Sequence, residues 1–506
     1  MTIDPIVLTE KNAIEYFGTD FTKETIFKIN KYSQDIDGDF LFNMVDSYKK
    51  SKKYKMIQKS FLYYENEHDI ERKKRIGIGA DGQDVELIGL PNNKIMDNQF
   101  KKVVDQKKNY LLGKPITFSV DKNEEHQELL RSIFDDKRFP KKAKKLGLNA
   151  ILGGIAYLYP YKDVYEQGNP IKAKIFSALQ GFSLWSDEDH EESPAFVRFY
   201  NNVDIDKKGN ETTTEVIEFY TSAGIFKYER GGKENKIRFV GAEPYAYLEE
   251  TGQAVDVWMG NCPVIAFKSS DIEQPLLKNV KGLQDALNTM LSAFSDNMQE
   301  DSRNTVLVVT NYDGADPNSF RHNLNKAGVI FVETNDHIQG DVKTLNIEVN
   351  ADNYEVVIKL LRKAIVDNAR GFDAKDERMS NNPNQMNIQS MYSEIDLDAS
   401  DMESEFQSSF EKLLKLIYDM EDVDYKTEDV TITFNREMMI NESEVIDNYL
   451  KSGGRGLSRQ TLIRNHPWDD GNELQRVEDQ EEDMLGYRSA FNALEVYADD
   501  EDNSQV

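Results

Sequence analysis

The chain has 506 residues, too many for one simple core; at roughly 100 to 200 residues per domain it holds about three or four structural units. Its formal charge of −28 argues against a protein that grips a phosphate backbone, which needs clustered Lys and Arg to displace counterions, but does not exclude one that lets DNA pass. A single cysteine, Cys262, excludes an intrachain disulfide and any cysteine-built zinc cluster, and is expected as a small buried apolar residue before Pro263.

Met1–Glu10 has no basic region ahead of an apolar one, and nowhere do about 18 apolar residues run together, so a soluble chain without a signal peptide is expected. Up to about residue 75 the pattern is helical, with Phe40, Leu41, Met44, Val45 and Tyr48 at helical spacing ahead of Lys49, Lys50, Lys52, Lys53 and Lys55. That basic run reads as a solvated helix face or, alternatively, as a nucleic-acid contact. A second helix is predicted from Pro91 to Leu112 and is stopped by Gly113-Lys114-Pro115, after which Ile116–Val120 is extended.

Lys141–Tyr157 reads as a further helix, entered through a basic cluster and broken by Gly153-Gly154. Short β-rich runs follow to about residue 268, among them Ala195–Tyr200, Glu215–Tyr220, Ile225–Tyr228 and Ile237–Val240, and they fit an antiparallel sheet. The pattern then changes. Leu276, Val280, Leu283, Leu287, Met290, Phe294 and Met298 recur at steps of four and three, which predicts one long amphipathic helix ending near Ser302 whose apolar seam needs a partner.

Between 303 and 350 a compact insertion is expected: strand Thr305–Thr310, helix Pro317–Lys326, strand Val329–Glu333 and strand Thr344–Val349. Asp352–Gly371 is helical again, so two long helices flank a small α/β tip. Residues 373–387 contain Pro383, lack apolar periodicity and read as an exposed loop. A helix is predicted over Ile388–Met420, a strand over Val430–Phe434, and a short helix capped by Ser458, followed by His466-Pro467-Trp468 with a buried Trp468. Residues 469–506 carry 13 Asp/Glu against Arg476 and Arg488, and the last few, Asp499–Val506, are expected to be disordered.

The chemical motifs are weak. Asp35-Ile36-Asp37-Gly38-Asp39 lacks the further oxygen ligands of a calcium loop, and the glycine-rich stretch 77–82 lacks the Lys-Ser/Thr ending of a phosphate loop. The six histidines are scattered, without a helical i, i+4 pair, and are expected at the surface. No catalytic constellation stands out, so neither an enzyme nor a cofactor is expected.

Certain spaced features resemble the portal proteins of tailed bacteriophages, particularly those of siphophages: Leu90-Pro91-Asn92-Asn93 with Phe100, Val104, Asp105 and Tyr110–Pro115; Leu283, Asp285, Leu287, Ser292 and Asp296 on the long helix; and the run from Leu457 through Pro467 to Glu482. The resemblance implies a multi-domain α+β portal fold that forms a ring. It would make 1–275 the wing, 276–302 and 351–372 the stem, 303–350 the clip, 373–387 the channel loop, 388–440 a long helix with a return to the wing, and 441–506 the crown. It also implies a dodecamer at the capsid vertex of the virion, built in the host cytoplasm with capsid and scaffolding proteins. Its partners would be a terminase that supplies the ATPase, head-completion or adaptor proteins, and double-stranded DNA in the channel, with no membrane. In the loop, Lys375 and Arg378 are the candidate DNA-facing cations, with Asn381, Asn382, Asn384, Gln385 and Asn387 as short polar contacts; elsewhere a negative wall would repel DNA over about a Debye length, roughly 8 Å at physiological salt. The competing readings are an acidic helical scaffold or adaptor, and a metal-dependent nuclease.

Overall fold

The computed structural model describes residues 38–78, 82–87, 90–120, 124–162, 171–205, 209–231, 236–247, 254–255, 262–301, 305–310, 341–346, 351–373, 385–421 and 430–436, with short pieces between 444 and 480. They belong to two compact units, one of residues 1–372 with 395–437, the other of residues 373–394 with 438–506.

In the first unit the basic N-terminal run is divided between α1 (Gly38–Lys50) and α2 (Lys52–Tyr64). Ser51 makes the break: its backbone is extended and its Oγ accepts from Tyr54 N at 3.0 Å, capping α2. The expected face of α1 is buried at Leu41, Met44, Val45 and Tyr48, joined by Phe42, whereas Phe40 is exposed. A hairpin of β1 (Ile76–Ile78) and β2 (Asp84–Glu86) accounts for the ends of the glycine-rich stretch; residues 79–81 within it lie outside the described residues.

The second helix, α3, spans Gln99–Leu112 and does not start at Pro91. Asn98 caps it, its Oδ1 accepting from Lys101 N at 2.8 Å, while residues 91–98 stay extended because their amides are bonded elsewhere, as described below. β3 (Thr117–Val120) and α4 (Glu124–Phe134) follow, the latter unforeseen from the sequence. α5 (Arg138–Gly153) ends at Gly154, which has φ +80° and lies so close to the chain at Glu273 that a Cβ would come within 2.1 Å of its carbonyl oxygen. The chain therefore turns into β4 (Ile155–Lys162), and Tyr157, expected to be helical, is in a strand.

β4 is central in a three-stranded antiparallel sheet with β5 (Ile171–Ser177) and, once the chain has passed through the strands below, β13 (Ile265–Lys268). Between them, β6 (Gly181–Leu184), β7 (Ala195–Ile205), β8 (Glu211–Tyr220), β9 (Ile225–Gly231) and β10 (Lys236–Glu243) form a five-stranded antiparallel sheet in the order β10-β9-β8-β7-β6, and β11 (Ala246–Tyr247) pairs with β12 (Ala254–Val255). Strand alternation gives the larger sheet two apolar faces. Val197, Phe199, Ile217 and Phe219 pack with α1, and Phe196 and Tyr220 pack with Ile155, Tyr157 and Phe176 of the smaller sheet.

The long helix is present as α6 (Leu277–Asp301), about 37 Å at 1.5 Å per residue. β14 (Thr305–Thr310) pairs antiparallel with β15 (Asp341–Asn346), a strand that begins three residues before the expected Thr344 and matches β14 residue for residue, Thr305 opposite Asn346; residues 347–349 of the expected strand lie outside the described residues. The predicted helix 317–326 and strand 329–333 lie outside the described residues. α7 (Ala351–Asn368) follows, then α8 (Gln385–Glu421), about 55 Å long, which starts three residues before the predicted Ile388. β16 (Val430–Thr433) returns to pair with β3, closing a cluster in which Phe118, Phe134, Phe139, Phe410 and Phe434 pack ring to ring. Among the described residues, no helix is long and apolar enough to cross a membrane.

In the second unit, Gln385 N at the start of α8 donates to Glu444 Oε2 at 2.7 Å. Ser458 caps α9 (Arg459–Arg464) as expected, its Oγ accepting from Thr461 N at 3.2 Å. Trp468 and 499–506 lie outside the described residues.

Candidate functional site

On α6 the dominant buried stripe is polar. Gln284, Asn288, Ser292 and Asp296 recur every four residues and are 0–4% exposed. Against them lies the extended segment 91–98. Asn93 N donates to Asp296 Oδ1 at 2.6 Å, Ile95 N to Ser292 Oγ at 2.9 Å, Asp97 N to Asn288 Oδ1 at 3.1 Å, and Phe100 N, at the start of α3, to Gln284 Oε1 at 3.1 Å. The match is metric: four helical residues rise about 6.0 Å and two extended residues about 6.6 Å, so alternate amides of the strap meet successive rungs of the helix. Gln284 Nε2 also donates to Asp97 O at 2.8 Å, and Lys73 Nζ reaches Asp296 Oδ2 at 2.7 Å. Burial alone would raise the Asp296 carboxyl, but Lys73 and the Asn93 donors outweigh it and hold it below the ordinary value.

His68 completes the ladder, and it is buried, not at the surface. Its Nδ1 accepts from Asn288 Nδ2 at 2.7 Å, its Nε2 faces Tyr63 O at 3.1 Å, and its ring stacks on Tyr63 at 4.3 Å. Burial lowers its pKa, so the imidazole stays neutral, as an accepting Nδ1 requires.

The predicted apolar seam divides around this stripe. Val280 and Leu287 are fully buried, Leu283, Met290 and Phe294 are half-buried, Met298 is 48% exposed, and Leu276 precedes the helix, where Leu277 takes the buried position. Phe294 meets Tyr354 of α7 at 5.0 Å, and Asn297 Nδ2 donates to Tyr354 OH at 3.0 Å, so the two helices are zipped side by side. α7 leaves Val356 and Leu360, one turn apart, 55% and 61% exposed.

α3 ties down the chain on both sides of the 373–387 stretch. On the near side, α7 ends with Arg370 at φ +48° and Gly371 N bonded back to Val366 O at 2.8 Å; Gln106 Nε2 then donates to Phe372 O at 2.8 Å, and Phe372 N returns a 3.3 Å bond to Gln106 Oε1. On the far side, buried Lys107 pairs with Asp398 of α8, and Tyr110 OH donates to Asp396 Oδ1 at 2.6 Å. Arg436 joins Asp396 to Glu403 along α8. Of the predicted loop residues, Gln385 and Asn387 fall in the first turn of α8, a correction to the loop's end; Lys375, Arg378, Asn381, Asn382 and Asn384 lie outside the described residues.

One buried charge cluster has the look of a reactive site. Glu273, at φ +51° and 3% exposed, accepts from Lys53 Nζ at 3.1 Å and bonds His190 Nδ1 at 2.6 Å, while His190, at φ +56°, stacks on Trp185 at 4.7 Å. Burial pushes the carboxyl up, but Lys53, His190 and Lys268 outweigh it and bring Glu273 down to about 2. With both oxygens engaged and the carboxylate held ionised, it is a weak base and serves as an anchor joining α2 to the turn before α6. Cys262, on the neighbouring wall, is buried as expected, and its thiol is pushed up to about 12. Among the described residues no cluster of three His, Cys, Asp or Glu side chains is arranged to hold a metal.

A profile of the phage portal protein family, SPP1 Gp6-like, matches residues 45–485. The chain is 26% identical to the portal protein of Clostridium phage phiCD119 over 425 residues, covering 82% of this chain and 90% of that one, and 27% identical to the portal protein of Bacillus phage SPP1 over 434 residues, covering 84% and 83%. Solved structures similar to it include a chain from the neck of an empty gene transfer agent particle, with a TM-score of 0.38 and 10% identity over 73% of this chain and 90% of that one, and a chain from the native gene transfer agent virion, with the same score and identity over 80% and 98%. The family match spans the strap, the laddered helix and both anchors of the 373–387 stretch, and the chain belongs to the SPP1 Gp6-like family of phage portal proteins.

Proposed function

We propose that twelve copies of this chain close into a ring at the capsid vertex and conduct double-stranded DNA inward during packaging and outward during ejection, without performing catalysis. The observation that carries the mechanism is the double anchoring by α3, where Gln106, Lys107 and Tyr110, within about one helical turn, hold Phe372 on one side of the 373–387 stretch and Asp396 and Asp398 on the other. A polar segment held at both shores by one rigid helix can face a moving duplex without its motion spreading into the core. Within it, Lys375 and Arg378 make the few phosphate contacts, and the acidic remainder of the chain keeps adhesion low.

The half-exposed seam of α6 and the exposed Val356 and Leu360 of α7 support the ring, since they offer apolar surface to a neighbouring copy in a head-to-tail contact that closes cyclically. In this reading α6 and α7 form the stem, the β14–β15 pair belongs to the clip that meets adaptor proteins, and the terminase supplies the ATPase. Imaging of purified full-length protein is the test. Twelvefold rings are expected, and a particle that remains monomeric at high concentration in every salt would sink the proposal.

A further inference from the structure

This acidic chain carries two basic runs, and cations of both are paired within the fold, Arg138 of the second with Asp136 at 2.7 Å. In the first, Lys49 pairs with Glu215 and Lys53 with Glu273, so those cations are engaged within the fold. The second, residues 137–145, holds Lys137, Arg138, Lys141, Lys142, Lys144 and Lys145 with no acidic residue among them. Two of its residues line an open groove of about 360 Å³: Lys142 and Lys145 of α5 on one side, Lys174 of β5 and Arg198 of β7 on the other, with Ile175 and Phe176 also in the lining. No acidic side chain lines this groove. Lys145 and Lys174 are exposed, and Lys174 Nζ rests 5.0 Å from the centre of the Tyr161 ring. The Arg198 guanidinium is fixed by Glu218 at 2.7 Å and stacked 4.7 Å over Phe176, yet its Nε is buried without a hydrogen-bond acceptor.

We infer that this groove binds the phosphate backbone of double-stranded DNA, at a place separate in sequence from the 373–387 stretch. The inference rests on the proposed channel function, which brings DNA to the molecule. Cations on both walls of an open trough suit a polymer whose charge is unbroken along its length, one phosphate per roughly 3.4 Å of each strand, better than the carboxylates of a folded protein, which alternate with neutral side chains. Because the chain as a whole is strongly acidic, the duplex is repelled from most other surfaces, and the groove adds a second place of contact to that of the 373–387 stretch.

The test uses the assembled full-length protein and a short fluorescent duplex, titrated between about 50 and 200 mM salt, where three engaged phosphates give a log–log slope of about −3. The double variant Lys145→Gln/Lys174→Gln, which removes two exposed charges and no core contact, should weaken binding and flatten the slope by about 2. Wild-type affinity in that variant would overturn the inference, as would binding abolished instead by Lys375→Gln/Arg378→Gln, a result that leaves the channel reading intact. Equal competition by polyglutamate, with the same dependence on the two lysines, would make the occupant an acidic protein and also overturn it. Imaging the same samples for rings separates either result from a failure of the channel function itself.

Discussion

Glu273 shows how one residue can join distant parts of the chain at a local cost. A non-glycine residue at φ +51° is held there only because its surroundings fix it: Gly154 lies against its backbone, and Lys53 and His190 take its two carboxylate oxygens. Glu273→Gln keeps the size but leaves Lys53 and Lys268 short of a counter-charge, and should lower unfolding stability by about 3 kcal/mol, measured by urea denaturation at neutral pH. The pH dependence has a definite sign. With the folded pKa depressed to about 2 from 4.5, the carboxylate's contribution is complete above about pH 4.5 and is lost as pH falls toward 2, whereas the Gln variant should show none of that component. Cys262 supplies an independent probe, because a thiol both buried and raised to about 12 should resist alkylation in the folded protein and react on unfolding. Rapid labelling of the native protein would contradict the burial of this wall.

At the scale of elements, most of what was legible in the sequence was legible through period. The steps of four and three from Leu276 to Met298 gave α6 to within a residue at each end, and alternation located β7 to β10, although Ile205 and Glu211 extend the β7–β8 hairpin beyond its apolar part. The buried face of α6 was hidden for a physical reason. Gln284, Asn288, Ser292 and Asp296 look like a solvated face, and their partner, the strap 91–98, has no period of its own; only the strict i+4 recurrence of hydrogen-bonding side chains signalled it. The ladder predicts a hierarchy in urea titrations. Asn288→Leu, which strands the amide of Asp97 and the ring of His68, should cost about 2 to 3 kcal/mol, Leu287→Asp more than that, and Met298→Ser under about 0.5 in an unassembled protomer. Because burial depresses the pKa of His68, the unfolded chain takes up its proton first, and stability should decline as pH falls below about 6.5; His68→Gln should flatten that segment of the profile.

On the scale of the whole molecule, α3 fixes Phe372 just before residues 373–387 and Asp396 and Asp398 after them. Pro383 and the lack of an apolar period set 373–387 apart in the sequence, but its far boundary lies earlier than expected, since polar Gln385 and Asn387 give no apolar period even though both belong to α8. That boundary matters for any deletion. Removing Gln385 would take away the amide that meets Glu444 and the first residue of a helix about 55 Å long, confusing loss of the segment with damage to the helix. Deleting residues 376–384 spares both, along with the contacts of Gln106, Lys107 and Tyr110 to Phe372, Asp398 and Asp396. Such a protein should assemble into rings as well as the wild type and fail in DNA packaging, measured as the share of DNA-filled heads. Gln106→Leu should give a milder form of the same defect, because it removes the two bonds between Gln106 and Phe372 while Lys107 and Tyr110 still hold α8. Rings that disappear on deletion of 376–384 would mean that the segment is part of the frame itself, and packaging at the wild-type level would mean that DNA passes without its help.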